Sequence, residues 1–186
     1  MKKERDVSVY LCFLLRHRPE VLGLNMDCHG WVSVEELIEK INTESQYTLT
    51  REILQGIVDA DDKGRYRLDQ VTDRIKCCQG HSIPWVQQEL KYKEPPTVLY
   101  HGTTMKAYEK IKASGAIRKM NRHAVHLTAN PDMAWRSAKR WHIEPVVISI
   151  ATAPMVEAGI TFGVTENDVW CVDEVPVEYI DSVLKD

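Results

Sequence analysis

Arginine and histidine recur together in the segment 121–128, where Arg122 precedes a short apolar stretch and His126 lies within it. The planar fork of an arginine side chain fits the oxygens of a phosphate group, and histidine exchanges protons near neutral pH. These residue types indicate phosphate chemistry. A structural hydrogen bond from a strand histidine is the alternative interpretation. A metal site is not indicated, because no carboxylate or cysteine ligand lies nearby in the sequence.

Residues 101–103, His-Gly-Thr, follow the apolar residues 98–100 directly. Glycine permits close backbone approach to a ligand, and histidine and threonine offer hydrogen-bonding groups. An ordinary turn between a strand and a helix, with threonine as the cap, explains the same three residues. On these residues alone the turn is the favoured interpretation.

Charge is segregated along this chain of 186 residues, although its formal net charge is only −3. Residues 106–140 hold nine Lys or Arg and two acids, which leaves +7, and residues 141–186 hold nine acids and one Lys, which leaves −8. The mild overall acidity argues against a basic coat that binds nucleic acid non-specifically. A local basic cleft remains compatible with these numbers.

The five cysteines form no CxxC pair, so the spacing does not indicate a zinc finger. No stretch approaches the roughly 18 apolar residues that a membrane helix needs. The stretch after the charged residues 2–6 is too short and too polar for a signal peptide. Disorder does not fit the composition, which is 44% hydrophobic and 27% charged. We therefore expect a monomeric, metal-free protein of the cytoplasm.

The first half of the chain predicts three helices followed by a hairpin. An apolar helix covers 7–15 and ends before Pro19, a second is capped by Ser33 with Glu36 completing a capping box, and a third starts near Thr50. Strands at 65–68 and 74–77 follow. This order is typical of a winged helix, a fold often found on nucleic acid.

The second half alternates between strands and helices, and two prolines at 95 and 96 mark the connection to it. Strands are predicted at 98–100, 124–128, 146–150, 169–172 and 175–180, with helices to about 114 and 131–141. We predict an α+β protein with lobes at 1–93 and 94–186, the second holding a mixed sheet with its functional residues in loops at strand ends.

Six motifs in this order make the chain resemble a known family, the NAD-dependent RNA 2′-phosphotransferases. They are Leu15–Glu20, Asp27–Val32, Asp62–Tyr66, Gln79–Ser82, Leu99–Thr103 and Arg122–Thr128. The resemblance extends from about residue 8 to residue 180. It implies a winged-helix-like RNA lobe and an ADP-ribosyltransferase-like lobe that binds NAD.

The resemblance also implies a reaction in two steps, with 2′-phosphorylated RNA and NAD as substrates. The RNA 2′-phosphate attacks C1″ of the nicotinamide riboside and expels nicotinamide. The ribose 2″-hydroxyl then attacks the phosphodiester of the ADP-ribosylated RNA. The products are RNA with a free 2′-hydroxyl and ADP-ribose 1″,2″-cyclic phosphate, and a tRNA splice junction is the typical substrate.

The family's essential Arg-His-Arg-Arg tetrad is matched by Arg16, His17, Arg65 and Arg122. The first nucleophile is already an anion, so it needs positioning by guanidinium groups rather than a base. The second step needs a base for the 2″-hydroxyl, a role that suits His17. The resemblance places NAD against a set of second-lobe residues, namely His101, Gly102, Thr103, His126, Leu127 and Arg140.

Two segments depart from the family pattern. Residues 140–145 replace the usual Arg-His-Gly-x-Pro run, with one residue inserted and no glycine, and Lys76-Cys77-Cys78 replaces Arg-Ala-x. Two other functions stay open: an ADP-ribosyltransferase that stops after the first step, acting on nucleic-acid ends or protein, and a non-catalytic winged-helix nucleic-acid binder. Release of the cyclic phosphate would separate the phosphotransferase from both.

Overall fold

Side-chain caps start two of the three helices in the first of two compact units, residues 1–89. The computed structural model describes residues 2–186, with side chains from residue 5 onward. Helix α1 spans Lys2–Arg16, α2 spans Val34–Glu44 and α3 spans Arg51–Asp59. Ser33 Oγ accepts a hydrogen bond from the Glu36 amide at 3.4 Å, and Thr50 Oγ1 accepts one from the Ile53 amide at 3.3 Å. Both predicted helix starts are confirmed.

The capping box predicted at Ser33 is only half made. Among the described residues the Glu36 carboxylate accepts hydrogen bonds not from the Ser33 amide but from the backbone and side-chain nitrogens of Asn25, at 2.9 and 2.8 Å. A carboxylate accepts more than one donor, and the two amide groups of Asn25 offer it more than one backbone N–H could. The prediction was wrong on this contact.

An antiparallel sheet of three short strands, β1 Val32–Ser33, β2 Tyr66–Asp69 and β3 Arg74–Cys77, completes the first unit. Its order is β1-β3-β2, with Tyr66 opposite Cys77. Leucines of α1 pack with apolar residues of α2, α3 and β3 into one core, which includes Leu11, Leu15, Leu37, Leu54 and Ile75. Burial of these side chains stabilises the arrangement that places the end of α1 beside the hairpin.

The second unit, residues 90–186, holds three helices and nine strands in the described part of the chain. The helices are α4 Met105–Ser114, α5 Pro131–Ala138 and α6 Ala153–Glu157. The strands are β4 Lys91–Tyr92, β5 Val98–Thr104, β6 Ala116–Arg118, β7 Val125–Leu127, β8 Pro145–Ala151, β9 Gly163–Val164, β10 Trp170–Val172, β11 Glu174–Pro176 and β12 Ile180–Lys185. The unit begins four residues before the predicted start at 94. The chain is α+β, as predicted.

These strands form sheets of order β12-β8-β5, β4-β9-β10-β7 and β11-β6. Among the described residues every pairing within them is antiparallel, so the prediction of a mixed sheet was wrong. The chain returns beside the end of β5, where Thr104 pairs with Pro145, and β8 therefore runs back along β5. A bridge between Tyr100 and Thr128 joins β5 to the end of β7.

Two predicted strands differ from the structure by more than one residue at an end. Strand β5 does not end at residue 100 but continues to Thr104, because its ladder to β8 includes His101, Gly102 and Thr103. These residues therefore lie inside a strand and not in a turn. The predicted strand 175–180 is broken by a 3₁₀ turn over Val177–Tyr179, directly after Pro176, which has no amide to donate to a ladder.

No helix in the described part of the chain is long and apolar enough to cross a membrane.

Candidate active site

Arg16 and His17 lie at the C-terminal end of α1, where the segment 80–82 holds them. The Ser82 amide donates to the Arg16 carbonyl at 2.9 Å, and Ser82 Oγ lies 2.9 Å from His17 Nδ1. Helix ends leave carbonyl groups without intrahelical partners, and Ser82 satisfies one of them. The same residue therefore fixes both the end of the helix and the orientation of the His17 ring.

The Arg16 guanidinium packs over the backbone of Gly80. A Cβ at Gly80 would lie 3.6 Å from three atoms of that side chain, and the φ angle of Gly80 is +88°, a conformation that favours glycine. Nε and Nη2 of Arg16 are buried, and neither has a hydrogen-bond partner among the described residues. Buried charged donors left unsatisfied are costly, so this arrangement suits an anion with several oxygens.

Arg65 is held by a carboxylate at the end of the turn that follows α3. The Arg65 side chain donates from Nε and Nη2 to Asp61 Oδ1, each at 2.7 Å, and the Asp61 side chain is only 2% exposed. Asp61 also accepts from the backbone amides of Arg65 and Tyr66. Burial alone would lower the pKa of Arg65, but the Asp61 contacts outweigh it and raise that pKa. The guanidinium is therefore charged and fixed in direction.

The Cys12 thiol and the Tyr66 phenol lie near Arg16 and Arg65 in the first unit. Cys12 Sγ is 3.0 Å from Tyr66 Oη, and Tyr66 Oη donates to the Ser8 carbonyl at 2.7 Å. Hydrogen bonding from the Cys77 thiol, with attraction from Arg16, lowers the pKa of Cys12 to about 6 against the opposing effect of burial. The mechanism implied by the resemblance gives this thiol no role.

A cleft of about 550 Å³ adjoins Arg65 on the side of α1 and α3. Its walls combine apolar and charged side chains, and it is lined by Arg5, Ser8, Glu52, Ile53, Gly56, Ile57, Ala60, Asp61 and Arg65. A Cβ added at Gly56 would meet no atom within 4 Å. Neither packing nor backbone geometry therefore requires a glycine in this helix.

In the second unit, two histidines and one arginine form a connected group. His101 Nδ1 lies 3.0 Å from the His126 carbonyl oxygen, which only accepts, so Nδ1 carries the proton. Burial lowers the pKa of His101, and Arg122 lowers it further. His101 is therefore neutral at pH 7, with Nε2 as an acceptor. Arg122 Nη1 donates to His126 Nδ1 at 3.2 Å, which places the proton of neutral His126 on Nε2.

Three predicted cofactor residues face the interior of the second unit. Thr103 and Leu127 are buried. A Cβ at Gly102 would lie 1.9 Å from the Ala134 carbonyl oxygen, so this glycine lets α5 pack directly on β5. Arg140 is exposed in a 3₁₀ turn, where it donates to Ser137 Oγ at 2.7 Å. The structure thus brings His101, His126 and Arg122 together and gives Gly102 a packing role.

The sequence matches the family model described as RNA 2′-phosphotransferase, Tpt1 / KptA family, over residues 2–174. The chain belongs to this family. The resemblance inferred from the six motifs is therefore confirmed.

Relatives of the RNA 2′-phosphotransferase family match nearly the whole chain. A probable RNA 2′-phosphotransferase of Pseudomonas syringae is 39% identical, over 98% of this chain and 96% of its own length. One from Burkholderia pseudomallei is 41% identical, over 93% and 92%. Among solved structures, protein CC0527 of Caulobacter crescentus covers 48% of this chain and 85% of its own, at 15% identity and a TM-score of 0.37. A likeness that low carries no argument.

Lys76, which stands where the RNA 2′-phosphotransferase family usually has arginine, is a structural residue. It is 4% exposed, pairs with the Glu89 carboxylate, and lies 4.8 Å from the centre of the Trp31 ring. An ammonium group held by a carboxylate and an aromatic face is stable in a buried position. The contacts with Glu89 and Trp31 therefore stabilise the positive charge of Lys76 inside the first unit.

Sequence reasoning missed two residues that position the tetrad. The sequence pattern predicts that residues 61–64 end the third helix and gives Asp61 no further role, and Ser82 enters only as part of the Gln79–Ser82 motif. The signal for Asp61 was its position four residues before Arg65, because side chains at this spacing can meet across one turn of the chain. Ser82 carried no such signal, because its contacts to Arg16 and His17 span more than 60 residues.

Proposed function

We propose that the protein removes an internal 2′-phosphate from RNA and transfers it to NAD. Two observations from different sources support this: membership of the RNA 2′-phosphotransferase family and the buried Arg16 guanidinium. The Arg16 nitrogens are the observation that carries the proposal, because two buried charged donors beside His17 favour an anionic acceptor. A phosphate monoester supplies three oxygens to such donors.

In the proposed first step, a 2′-phosphate oxygen forms a bond to C1″ of the nicotinamide riboside as the bond to nicotinamide breaks. Arg16 and Arg65 hold and orient the phosphate. The Asp61 pair supports that role, since it fixes the Arg65 guanidinium before substrate arrives, and preorganised charge costs no rearrangement during the reaction. No general base is needed, because the phosphate is already ionised.

In the proposed second step, the ribose 2″-hydroxyl attacks the phosphorus and displaces the RNA 2′-oxygen. His17 accepts the hydroxyl proton, and Arg122 stabilises the charge that develops on the phosphodiester. The Ser82 contact supports the role of His17, because it fixes the orientation of the imidazole ring through Nδ1. The products are 2′-hydroxyl RNA and ADP-ribose 1″,2″-cyclic phosphate.

NAD would lie on the second unit against His101 and His126. The neutral His101 ring has Nε2 as an acceptor, which suits a ribose hydroxyl as donor. We assign the remaining predicted contacts, Gly102, Thr103 and Leu127, to backbone atoms of β5 and β7, and retain Arg140 as a cofactor contact. We also propose a winged-helix-like RNA lobe and an ADP-ribosyltransferase-like NAD lobe for the two units.

The test incubates the protein with NAD and an oligonucleotide that carries one internal 2′-phosphate. We expect nicotinamide, the 2′-hydroxyl oligonucleotide and the cyclic phosphate, each identified by mass. Accumulation of the ADP-ribosylated oligonucleotide without cyclic phosphate would indicate an ADP-ribosyltransferase that stops after one step. Intact substrate after hours, with salt-dependent binding of the oligonucleotide, would indicate a non-catalytic binder.

A matched pair of arginine variants tests the site. Arg16→Ala should lower the rate about a hundredfold, the cost of losing one electrostatic contact to the reacting group. Arg67→Ala removes the same charge from an exposed position on β2 and should leave the rate unchanged. Equal losses from both variants would show that general charge, and not the Arg16 position, supports activity.

A further inference from the structure

The cleft between α1 and α3 has no role in the two proposed steps, which use only the Arg65 guanidinium at its border. Its volume of about 550 Å³ lies within the range of roughly 300–1,000 Å³ that is usual for small-molecule sites. Small residues keep it open, because Ser8 lines it from α1, and Gly56 and Ala60 line it from α3 and its C-terminal cap. The cleft therefore exists because larger side chains are absent from these positions.

The fold of the first unit does not explain the glycine in α3. Gly56 lies inside this helix, where glycine is less favourable than alanine. Its φ angle is not positive, and an added Cβ would meet no atom within 4 Å. A residue that weakens its helix without a structural reason indicates a functional one. Without a side chain, the helix backbone at Gly56 is open to close approach by a ligand.

The wall of the cleft on the α3 side is apolar. Ile53, Gly56, Ile57 and Ala60 follow one another at the three- and four-residue spacing that places side chains on one face of a helix. Ile57 is buried, and Ile53 is partly buried. The two isoleucines therefore border a strip of open backbone. A surface of this shape and polarity favours a flat, largely apolar group.

The charges that line the cleft balance. Asp61 and Arg65 pair with each other, whereas Arg5 and Glu52 are both exposed and so border the open side of the cleft. With two positive and two negative groups, the lining does not attract a phosphate into the cleft. It suits a neutral ring with polar edges, because Glu52 can accept from an amino group and Arg5 can donate to a ring carbonyl or stack on the ring. A nucleobase has all of these features.

We propose that the cleft binds the base of the nucleotide that carries the 2′-phosphate. This inference rests on the proposed function, in which Arg65 holds that phosphate. The base and the 2′-phosphate are attached to neighbouring ribose carbons, C1′ and C2′, so a phosphate at Arg65 brings its own base to the cleft that Arg65 lines. The base packs against Ile53 and Ile57 and covers the backbone at Gly56. Because a stacked base cannot enter, the site selects 2′-phosphates on unpaired nucleotides.

Binding without NAD tests the proposal independently of turnover. Two oligonucleotides each carry one internal 2′-phosphate, and in the second a hydrogen atom replaces the base at C1′ of the phosphorylated nucleotide. Fluorescence anisotropy measures the affinity of the full-length protein for each. The oligonucleotide with the base should bind about tenfold more tightly, since burial of about 60 Å² of apolar surface is worth that factor. Equal affinities would overturn the proposal.

A matched pair of leucine variants locates the base. Gly56→Leu fills the cleft with a side chain that favours a helix, and it should bind both oligonucleotides with the same weak affinity. Gln55→Leu adds the same side chain where the natural residue contacts Asp59 and does not line the cleft, and it should keep the tenfold preference. A preference retained in Gly56→Leu, or lost in both variants, would overturn the proposal. Thermal unfolding shows whether each variant folds, and Ala60→Leu fills the cleft from the next turn if Gly56→Leu does not.

The position of the missing base separates the phosphorylated nucleotide from its neighbours. Removal of the base from the 5′ or 3′ neighbour should cost less than removal from the phosphorylated nucleotide. A larger cost at either neighbour would overturn the assignment of the cleft to that base.

The activity arm adds NAD. Gly56→Leu should raise the KM for the oligonucleotide about tenfold and leave kcat and the KM for NAD unchanged, whereas a fall in kcat with unchanged KM would contradict a binding role. Absence of 2′-hydroxyl product from the natural protein would instead refute the proposed function. The affinities measured without NAD would still decide whether the cleft binds the base.

Discussion

Replacement of Gly102 by alanine should destabilise the protein, because α5 packs on the backbone of β5 at this residue. The added Cβ would lie 1.9 Å from the Ala134 carbonyl oxygen and 3.1 Å from the Ala138 amide nitrogen. Both are backbone atoms of α5, so no side-chain rotation can relieve the contact. Ordinary contacts of a Cβ begin at 3.4 Å, so the helix must retreat by about 1.5 Å.

The cost should be at the upper end of that seen for overpacked cores, about 3 kcal/mol. Ala134 and Ala138 are buried against the sheet, and a retreat of α5 also opens space beneath them. For a chain of this size, about 3 kcal/mol corresponds to a fall in Tm of roughly 6–12 °C. The residue before Gly102 is His101, so the rate of 2′-phosphate removal should fall as well.

Gly56→Ala is the matched control, because it makes the same chemical change in the opposite environment. Gly56 lies inside α3, and its added Cβ would meet nothing within 4 Å. Alanine favours a helix over glycine, so this variant should gain about 1 kcal/mol and melt roughly 2–4 °C higher. Calorimetry and urea denaturation of both variants measure the difference. Shifts of the same sign would refute the reasoning from the two environments.

Three further changes test the remaining contacts. Asp61→Asn should lower the free energy of unfolding by about 3 kcal/mol in urea, because it leaves the Arg65 charge without its carboxylate; a loss under about 0.5 kcal/mol would contradict the role of this pair. Ser82→Ala should slow the second step about tenfold by releasing the His17 ring, whereas Ser82→Thr keeps the hydroxyl and should restore the rate; failure of that rescue would show that the hydroxyl is not what matters. The lowered pKa of His101 means that the unfolded chain binds a proton first as the pH falls below about 6.5, so this residue's contribution to stability should decrease below that pH. Tm measured from pH 7.5 to 5 should therefore fall less in His101→Gln than in the natural protein, and parallel curves would exclude His101 as the cause.

Local chemistry made part of this fold predictable from the sequence. Ser33 and Thr50 predict the starts of α2 and α3, because a hydroxyl cap binds a backbone amide only three residues away. Pro19 predicts where α1 ends, because a proline disfavours helical geometry at the residue before it. The family resemblance identifies Arg16 and His17 as site residues, and their adjacency in the sequence places both at the end of α1. None of these inferences requires knowledge of a distant contact.

Other features depend on contacts between distant parts of the chain. His101 and Gly102 have the composition of a turn, but pairing with Ile148 and Val147 of β8 extends the strand through them. Alternation of apolar residues likewise predicts strands, but it does not show whether neighbouring strands run parallel or antiparallel. The prediction of a mixed sheet was wrong for this reason. The contact between Ser82 and His17 was unpredictable for the same reason, because it joins residues 65 positions apart.

The contacts of Ser82 with the end of α1 have a consequence for synthesis on the ribosome. Arg16 and His17 leave the exit tunnel before Ser82, the residue that fixes them, which follows His17 by 65 positions. At about 5–20 residues per second, that interval lasts several seconds. During that time the nascent chain presents a basic helix end without its Ser82 contacts, and the proposed phosphate contact at Arg16 is fixed only after residue 82 has emerged.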